Sequence, residues 1–202
     1  KFTVISVESF KRVKVVFNNT GYECYARCDS VEKGTIKDKL HPSVHGVGFV
    51  GVGEFKTSSK GKNNKAYLTW QRMLGRCYDS NNASSSYYKD CSVDPEWHNF
   101  QNFAKWFYDN YPDTNQEIHL DKDIKIKGNK VYSKETCKLV TLSENVSHAK
   151  AKHFKLISPN GEITSVYNLE KFCRERGLNK ANMHKVATGK NKSCKGWATY
   201  HE

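Results

Sequence analysis

Residues Ile118 to Lys150 read IHLDKDIKIKGNKVYSKETCKLVTLSENVSHAK, and the reading of this run decides the fold. It gathers His119, Asp121, Asp123, Asn129, Glu135, Asn145 and His148 between an aromatic-rich stretch and a basic tail. In IHLDKD the apolar Ile118 and Leu120 alternate with His119, Asp121 and Asp123, the period of a half-buried strand. IKIKGNKVY carries a turn signal at Gly128-Asn129 between two β-rich pieces, which predicts a short hairpin. Ser133 ahead of Lys134-Glu135-Thr136 is placed as a helix cap, and KLVT is left open as a third strand. A second helix start falls at Ser143, with Glu144 and Asn145, running toward Ala151.

Two strands and a helix in so short a run can bring a carboxylate and a side-chain carbonyl to one divalent ion. Hard ions such as Mg²⁺ take oxygen ligands and keep several waters, so one or two carboxylates plus phosphate oxygens suffice. A nearby histidine can then take a proton from an attacking water while the metal holds the leaving oxygen. That combination serves phosphodiester hydrolysis.

The motifs HLDKD, GNKVYS, ETCKLVT and SENVSHA resemble the catalytic core of phage and intron-encoded HNH homing endonucleases. The resemblance implies a ββα-metal fold that nicks or cuts double-stranded DNA with Mg²⁺ or Mn²⁺. It places Asp121 as metal ligand and Asn145, within T-x-x-E-N-x-x-H-A, as the ligand on the helix. The family's Asp-His or His-His pair stands here as Asp121-Lys122. His119, two residues before Asp121, shares its face on a regular strand and is the candidate base, while Lys122 points the other way. Lys122 is a candidate contact to the scissile phosphate. The missing pair also motivates a rival: a catalytically inactive, sequence-specific DNA-binding protein or repressor derived from such a nuclease.

Outside this run, a net charge of +12 and a pI near 9.3 call for an acidic partner, with nucleic acid the default over membrane. No apolar run is long enough to span a bilayer, and KFTVISVESFKR lacks the apolar core of a signal peptide. Seven cysteines are an odd number without regular spacing, which fits reduced thiols in the cytoplasm, and the resemblance adds a phage protein in its bacterial host. Structural zinc on Cys77, Cys91, Cys137 and a histidine is weighed against ordinary buried cysteines, and the latter reading is favoured. No organic cofactor is expected, and the chain is read as a monomer.

The expected class is a modular α+β chain divided at 1–55, 56–150 and 151–202. The first segment reads as β-rich, with FTVIS, VKVVF and ECYARC as strands and a turn at Asn18-Asn19-Thr20-Gly21. Lys11, Arg12, Lys14 and Lys37 there are available for phosphates. Its glycines at 46, 48, 51 and 53 do not match a dinucleotide or Walker loop, so a structural role is favoured.

Lys56, Lys60, Lys62 and Lys65 form a basic loop before a helix predicted from Ala66 to Cys77. Tyr67, Trp70, Leu74 and Cys77 make its core stripe, and Arg72 with Arg76, four apart, are candidates to grip consecutive phosphates. Asp94-Pro95 opens a second helix, whose Trp97, Phe100, Phe103, Ala104 and Phe107 pack against the first.

Beyond Lys150 the chain predicts a hairpin around Pro159-Asn160-Gly161, a helix from about Asn168 to Arg176, a stop at Gly177, and a second helix capped by Asn179 and ending near Thr188. Two short helices about a glycine turn read as a helix-turn-helix. NLEKFCRERGLNKANMHKVATGK and KGW resemble the nuclease-associated modular domain that follows homing endonuclease cores. That resemblance places Asn179, Lys180, Asn182, Met183, His184 and Lys185 around the recognition helix. Lys190, Lys192 and Lys195 are added as phosphate contacts, while Trp197 closes the small core. From Val146 to Glu202 eleven Lys/Arg stand against four Asp/Glu, +7 of the chain's +12.

Overall fold

The structure, a computed structural model, describes residues 1–82, 85–142, 144–145 and 153–200. It is mixed α+β, and it falls into two compact units: Lys1–Asn115 with His119–Leu139, and Gln116–Ile118 with Val140–Glu202.

The first unit opens with an antiparallel sheet in the order β1 (Phe2–Ser9), β2 (Arg12–Phe17), β3 (Glu23–Ala26). Val13, Val15 and Phe17 alternate inward along β2 and are buried. Arg12 and Lys14 take the opposite face, where Glu8 meets Arg12 and Glu23 lies 2.8 Å from Lys14. Two of the cations expected for phosphate are thus matched by carboxylates of their own sheet. β3 stops at Ala26, and α1 (Cys28–Glu32) occupies the end of the stretch predicted as strand.

A hairpin of β4 (Ser58–Ser59) and β5 (Lys62–Asn63) precedes α2 (Lys65–Tyr78), and α3 (Phe100–Asp109) follows the short strand β6 (Ser92–Val93) and a 3₁₀ turn at Pro95–His98. Each helix begins on an asparagine: Asn64 accepts from the Tyr67 amide at 2.8 Å and Asn99 from the Gln101 amide at 3.0 Å. The core stripe of α2 is centred on Trp70, Met73 and Leu74, so it is rotated from the predicted one, leaving Tyr67 and Cys77 half-buried. On α3 the predicted Phe100, Phe103, Ala104 and Phe107 are all buried, as is Trp97 before it. Each such aromatic contributes roughly 1.5–3 kcal/mol by leaving water. The buried Trp70 indole donates to the Trp97 carbonyl at 2.7 Å, so its one polar atom is satisfied.

The glycine-rich stretch makes no long element; Val44 bridges Gly48, and Phe49 bridges Asn99. A Cβ at Gly48 would meet Leu74 and Trp70, at Gly51 the Asn99 amide, and at Gly53 the Gln101 amide. These glycines let bare backbone lie against α2 and the start of α3, where Gln101 Nε2 donates to the Val50 and Phe55 carbonyls at 3.1 and 3.0 Å.

The second unit holds a four-stranded sheet in the order β11-β10-β13-β12; its strands are β10 (His153–Ile157), β11 (Ile163–Tyr167), β12 (Ser193–Cys194) and β13 (Trp197–Thr199). The predicted hairpin is its β10-β11 part. Helices α4 (Leu169–Glu175) and α5 (Lys180–Ala187) complete it. Leu156, Val166, Leu169, Phe172, Cys173, Met183 and Val186 form one buried cluster, and Trp197 packs edge-on against Phe172 at 4.9 Å.

Candidate functional site

The central run folds as strands β7 (Ile118–Asp121), β8 (Val131–Tyr132) and β9 (Lys138–Thr141). β7 pairs with β9, whereas β8 runs parallel to β6, Ser92 facing Val131 and Val93 facing Tyr132. This corrects the short hairpin predicted within IKIKGNKVY about Gly128-Asn129, because Ile124 to Lys127 form no strand. The turn itself exists, with the Asn129 amide donating to the Ile126 carbonyl at 3.2 Å, but no ladder reaches it.

The cause is a loop wound around Lys122. Its side chain is almost fully buried, and Nζ donates to Asp123 Oδ2 and to the Asn129 carbonyl, both at 2.7 Å. Asn129 Nδ2 returns bonds to the Lys122 and Val131 carbonyls at 3.0 and 2.6 Å. Asp121 Oδ1 accepts from the Asp123 and Ile124 amides, each at 2.7 Å. Polar side chains thus offer the backbone local partners, and the Ile-Lys alternation never becomes a strand. The expected contact of Lys122 with a scissile phosphate does not fit this placement, because the ammonium is turned inward and committed to the loop.

Along β7, Leu120 is buried while His119 and Asp121 are half-buried, the alternation that puts both polar groups on one face. Ser133 starts a turn instead of a helix; the Cys137 amide donates to the Ser133 carbonyl at 2.9 Å, and Lys125 Nζ crosses to the Glu135 carbonyl at 2.9 Å. KLVT takes its strand alternative. The helix begins after it in a capping box: Glu144 Oε2 accepts from the Thr141 amide at 2.9 Å, and the Glu144 amide donates to Thr141 Oγ1 at 3.2 Å. Leu142, Glu144 and Asn145 are helical, so the start is Thr141 and not Ser143. Ser143 itself, His148 and the expected run to Ala151 lie outside the described residues. The Thr-x-x-Glu spacing in the sequence carried this signal. His119, Asp121 and Lys122 belong to the first unit and Asn145 to the second.

Burial pushes the Cys77 thiol up to about 11, with Cys91 adding to the shift, and the Cys137 thiol up to about 12. Both stay protonated and unreactive at neutral pH. Among the described residues no three His, Cys, Asp or Glu side chains are grouped to share a metal ion.

Of the two arginines on α2, Arg72 is exposed. Arg76 is half-buried, beside the Tyr132 phenol and set over the Tyr88 ring at 5.6 Å. The two expected phosphate contacts thus differ in setting, Arg72 open to solvent and Arg76 among aromatic side chains.

In the second unit the caps fall where the sequence put them. Asn168 accepts from the Lys171 amide and Asn179 from the Asn182 amide, each at 3.1 Å. Gly177 at φ 59 lets the Leu178 amide reach back to the Cys173 carbonyl at 2.8 Å, which ends α4. Met183 and Val186 of α5 are buried, and Lys180, Asn182, His184 and Lys185 are exposed. Lys180 pairs with Glu170, and Lys195 Nζ donates to the Gly177 carbonyl at 3.2 Å. Lys185, Lys190 and Lys192 are exposed and enter none of the ion pairs seen among the described residues.

Comparison with protein-family models, with curated proteins and with solved structures returned no match. Among the described residues no helix is long and apolar enough to cross a membrane.

Proposed function

We propose that this chain is a divalent-metal-dependent DNA endonuclease of the HNH type, acting on double-stranded DNA. The observation that carries the reading is the order of elements around Asp121: a strand ending in that carboxylate pairs with β9, and β9 runs through the Thr141–Glu144 capping box directly into a helical turn bearing Asn145. In this reading Asp121 Oδ2 would be a ligand of Mg²⁺ or Mn²⁺, and His119, on the same face of β7 as Asp121, would take the proton of the attacking water. The bound ion would polarise the phosphate and stabilise the leaving oxygen. The exposed face of α5, with Asn182, His184 and Lys185, would read the duplex, and Lys190 and Lys192 would grip its backbone. A phage protein at work in its bacterial host's cytoplasm belongs with this reading.

The test is incubation of the full chain with long mixed-sequence duplex DNA and Mg²⁺ or Mn²⁺. Nicked or cut product is expected, absent with a chelator and absent for Asp121→Ala. An Asp121→Ala protein that cuts at the parent rate under limiting metal would sink the site.

One observation favours the rival, a DNA-binding protein that has lost the chemistry: the residue after Asp121, where the family carries histidine, is a lysine built into the loop. Tight duplex binding with no nick under any divalent ion would decide for it.

A further inference from the structure

From Phe55 to Tyr78 the chain carries Lys56, Lys60, Lys62, Lys65, Arg72 and Arg76 and no acidic residue, the flanking ones being Glu54 and Asp79. The sequence reads the first part of this stretch as a basic loop. The structure turns it into a tight hairpin, with Ser58 facing Asn63 and Ser59 facing Lys62. Its two-residue turn is Lys60-Gly61, both at positive φ, 50 and 74, the conformation that matches the twist of paired strands.

The hairpin is fastened at both ends. Phe55 is stacked on Tyr108 at 5.6 Å, and its amide and carbonyl are both held by the side chain of Gln101, each at 3.0 Å. At the other end Asn64 does three things: its amide donates to the Thr57 carbonyl at 3.0 Å, its Nδ2 donates to the Lys56 carbonyl, and its Oδ1 caps α2. Lys65 leans onto Tyr111, 3.3 Å from its hydroxyl. Lys56, Lys60 and Lys62 are exposed and take part in no ion pair among the described residues, unlike Arg12, Lys14 and Arg27 of the neighbouring sheet.

We infer that this hairpin is a second DNA-docking element, a preset basic ribbon that enters a groove of the duplex and sets Lys56, Lys60 and Lys62 on its phosphates. A two-stranded ribbon fits the major groove, and backbone already ordered before binding loses little entropy there. Thr57, Ser58, Ser59 and Asn63 add neutral donors suited to phosphate and sugar. Among the described residues between Val52 and Tyr87 no large hydrophobic side chain is prominently exposed, so the ribbon lacks the apolar anchor a membrane or a protein hot spot requires. The inference rests on the reading of duplex DNA as partner and is independent of whether the metal site cuts.

The test is fluorescence anisotropy of a labelled mixed-sequence duplex with the full chain in EDTA, across a salt series. The parent is compared with Lys56→Ala/Lys60→Ala/Lys62→Ala and with an equal-charge control, Lys33→Ala/Lys39→Ala/Lys89→Ala, with urea midpoints checked in each. The hairpin triple is expected to bind about 100-fold more weakly at about 0.1 M salt and to flatten the log–log salt slope by about 3, roughly one for each phosphate no longer neutralised. The control should change both far less. Equal losses in the two triples mean net charge alone and overturn the inference. So does a hairpin triple that keeps duplex affinity but loses binding to polyglutamate, which would make the occupant an acidic protein. A hairpin triple with parent-like affinity and slope overturns it while leaving duplex DNA as partner, whereas a parent that binds no duplex overturns both.

Discussion

The ammonium of Lys122 lies 2.7 Å from the carbonyl oxygen of Asn129, seven residues further along, and the loop between them closes on that bond. With Asp123 as its second partner, the buried cation holds the loop that Asp121 opens. Lys122→Met keeps the stem and deletes the charge, so it leaves the Asn129 carbonyl and the Asp123 carboxylate short of a donor. A loss of about 1–3 kcal/mol in urea unfolding is expected, at the lower end because Asp123 is half in water. Parent-like stability for Lys122→Met would show that the loop holds without it.

Gly51 and Gly21 both sit at positive φ, 74 and 70, but only Gly51 has a neighbour in the place of a Cβ, the Asn99 amide that caps α3. Gly21→Ala should cost only the conformational strain, about 1 kcal/mol. Gly51→Ala adds displacement of the cap and should cost about 2–3 kcal/mol. Paired denaturation curves check the difference, and equal losses would mean that Asn99 gives way freely.

The Cys137 thiol, raised by burial from its ordinary 9.0 to about 12, makes stability fall in alkali. The unfolded chain releases this proton near its ordinary value while the folded chain keeps it, so the contribution is whole below about pH 9 and is lost as pH climbs toward about 12. Cys77, raised to about 11, acts in the same direction. Cys137→Ala should lose some stability at neutral pH through the cavity it leaves, yet show a shallower decline between about pH 9 and about 11. Urea midpoints along that range measure it, and an unchanged slope would count against the buried thiol as a cause.

The parts legible in the sequence are those decided by near neighbours. Asn168, Gly177 and Asn179 each govern one or two backbone groups within five residues, so the helices of the second unit could be read within a residue or two. The aromatic stripe of α3 was legible for the same reason. Strand pairing was not, because β7 finds its partner across a loop whose shape depends on where one lysine places its charge. The aromatic surroundings of Arg76 were not legible, because Tyr132 lies 56 positions away in the chain, a proximity that helical spacing alone cannot reveal. For the candidate metal site, the face shared by His119 and Asp121 followed from strand alternation, and the Thr141 cap was spelled out but passed over in favour of Ser143.

The four tryptophans are divided between the two units: Trp70, Trp97 and Trp106 cluster in the first, and Trp197 alone stands in the second, edge-on to Phe172. Indole emission therefore carries two separable signals. Loss of the small unit's packing moves the spectrum of a single chromophore, while the coupled three keep reporting on the larger one, so the melting of each unit can be watched without any added label.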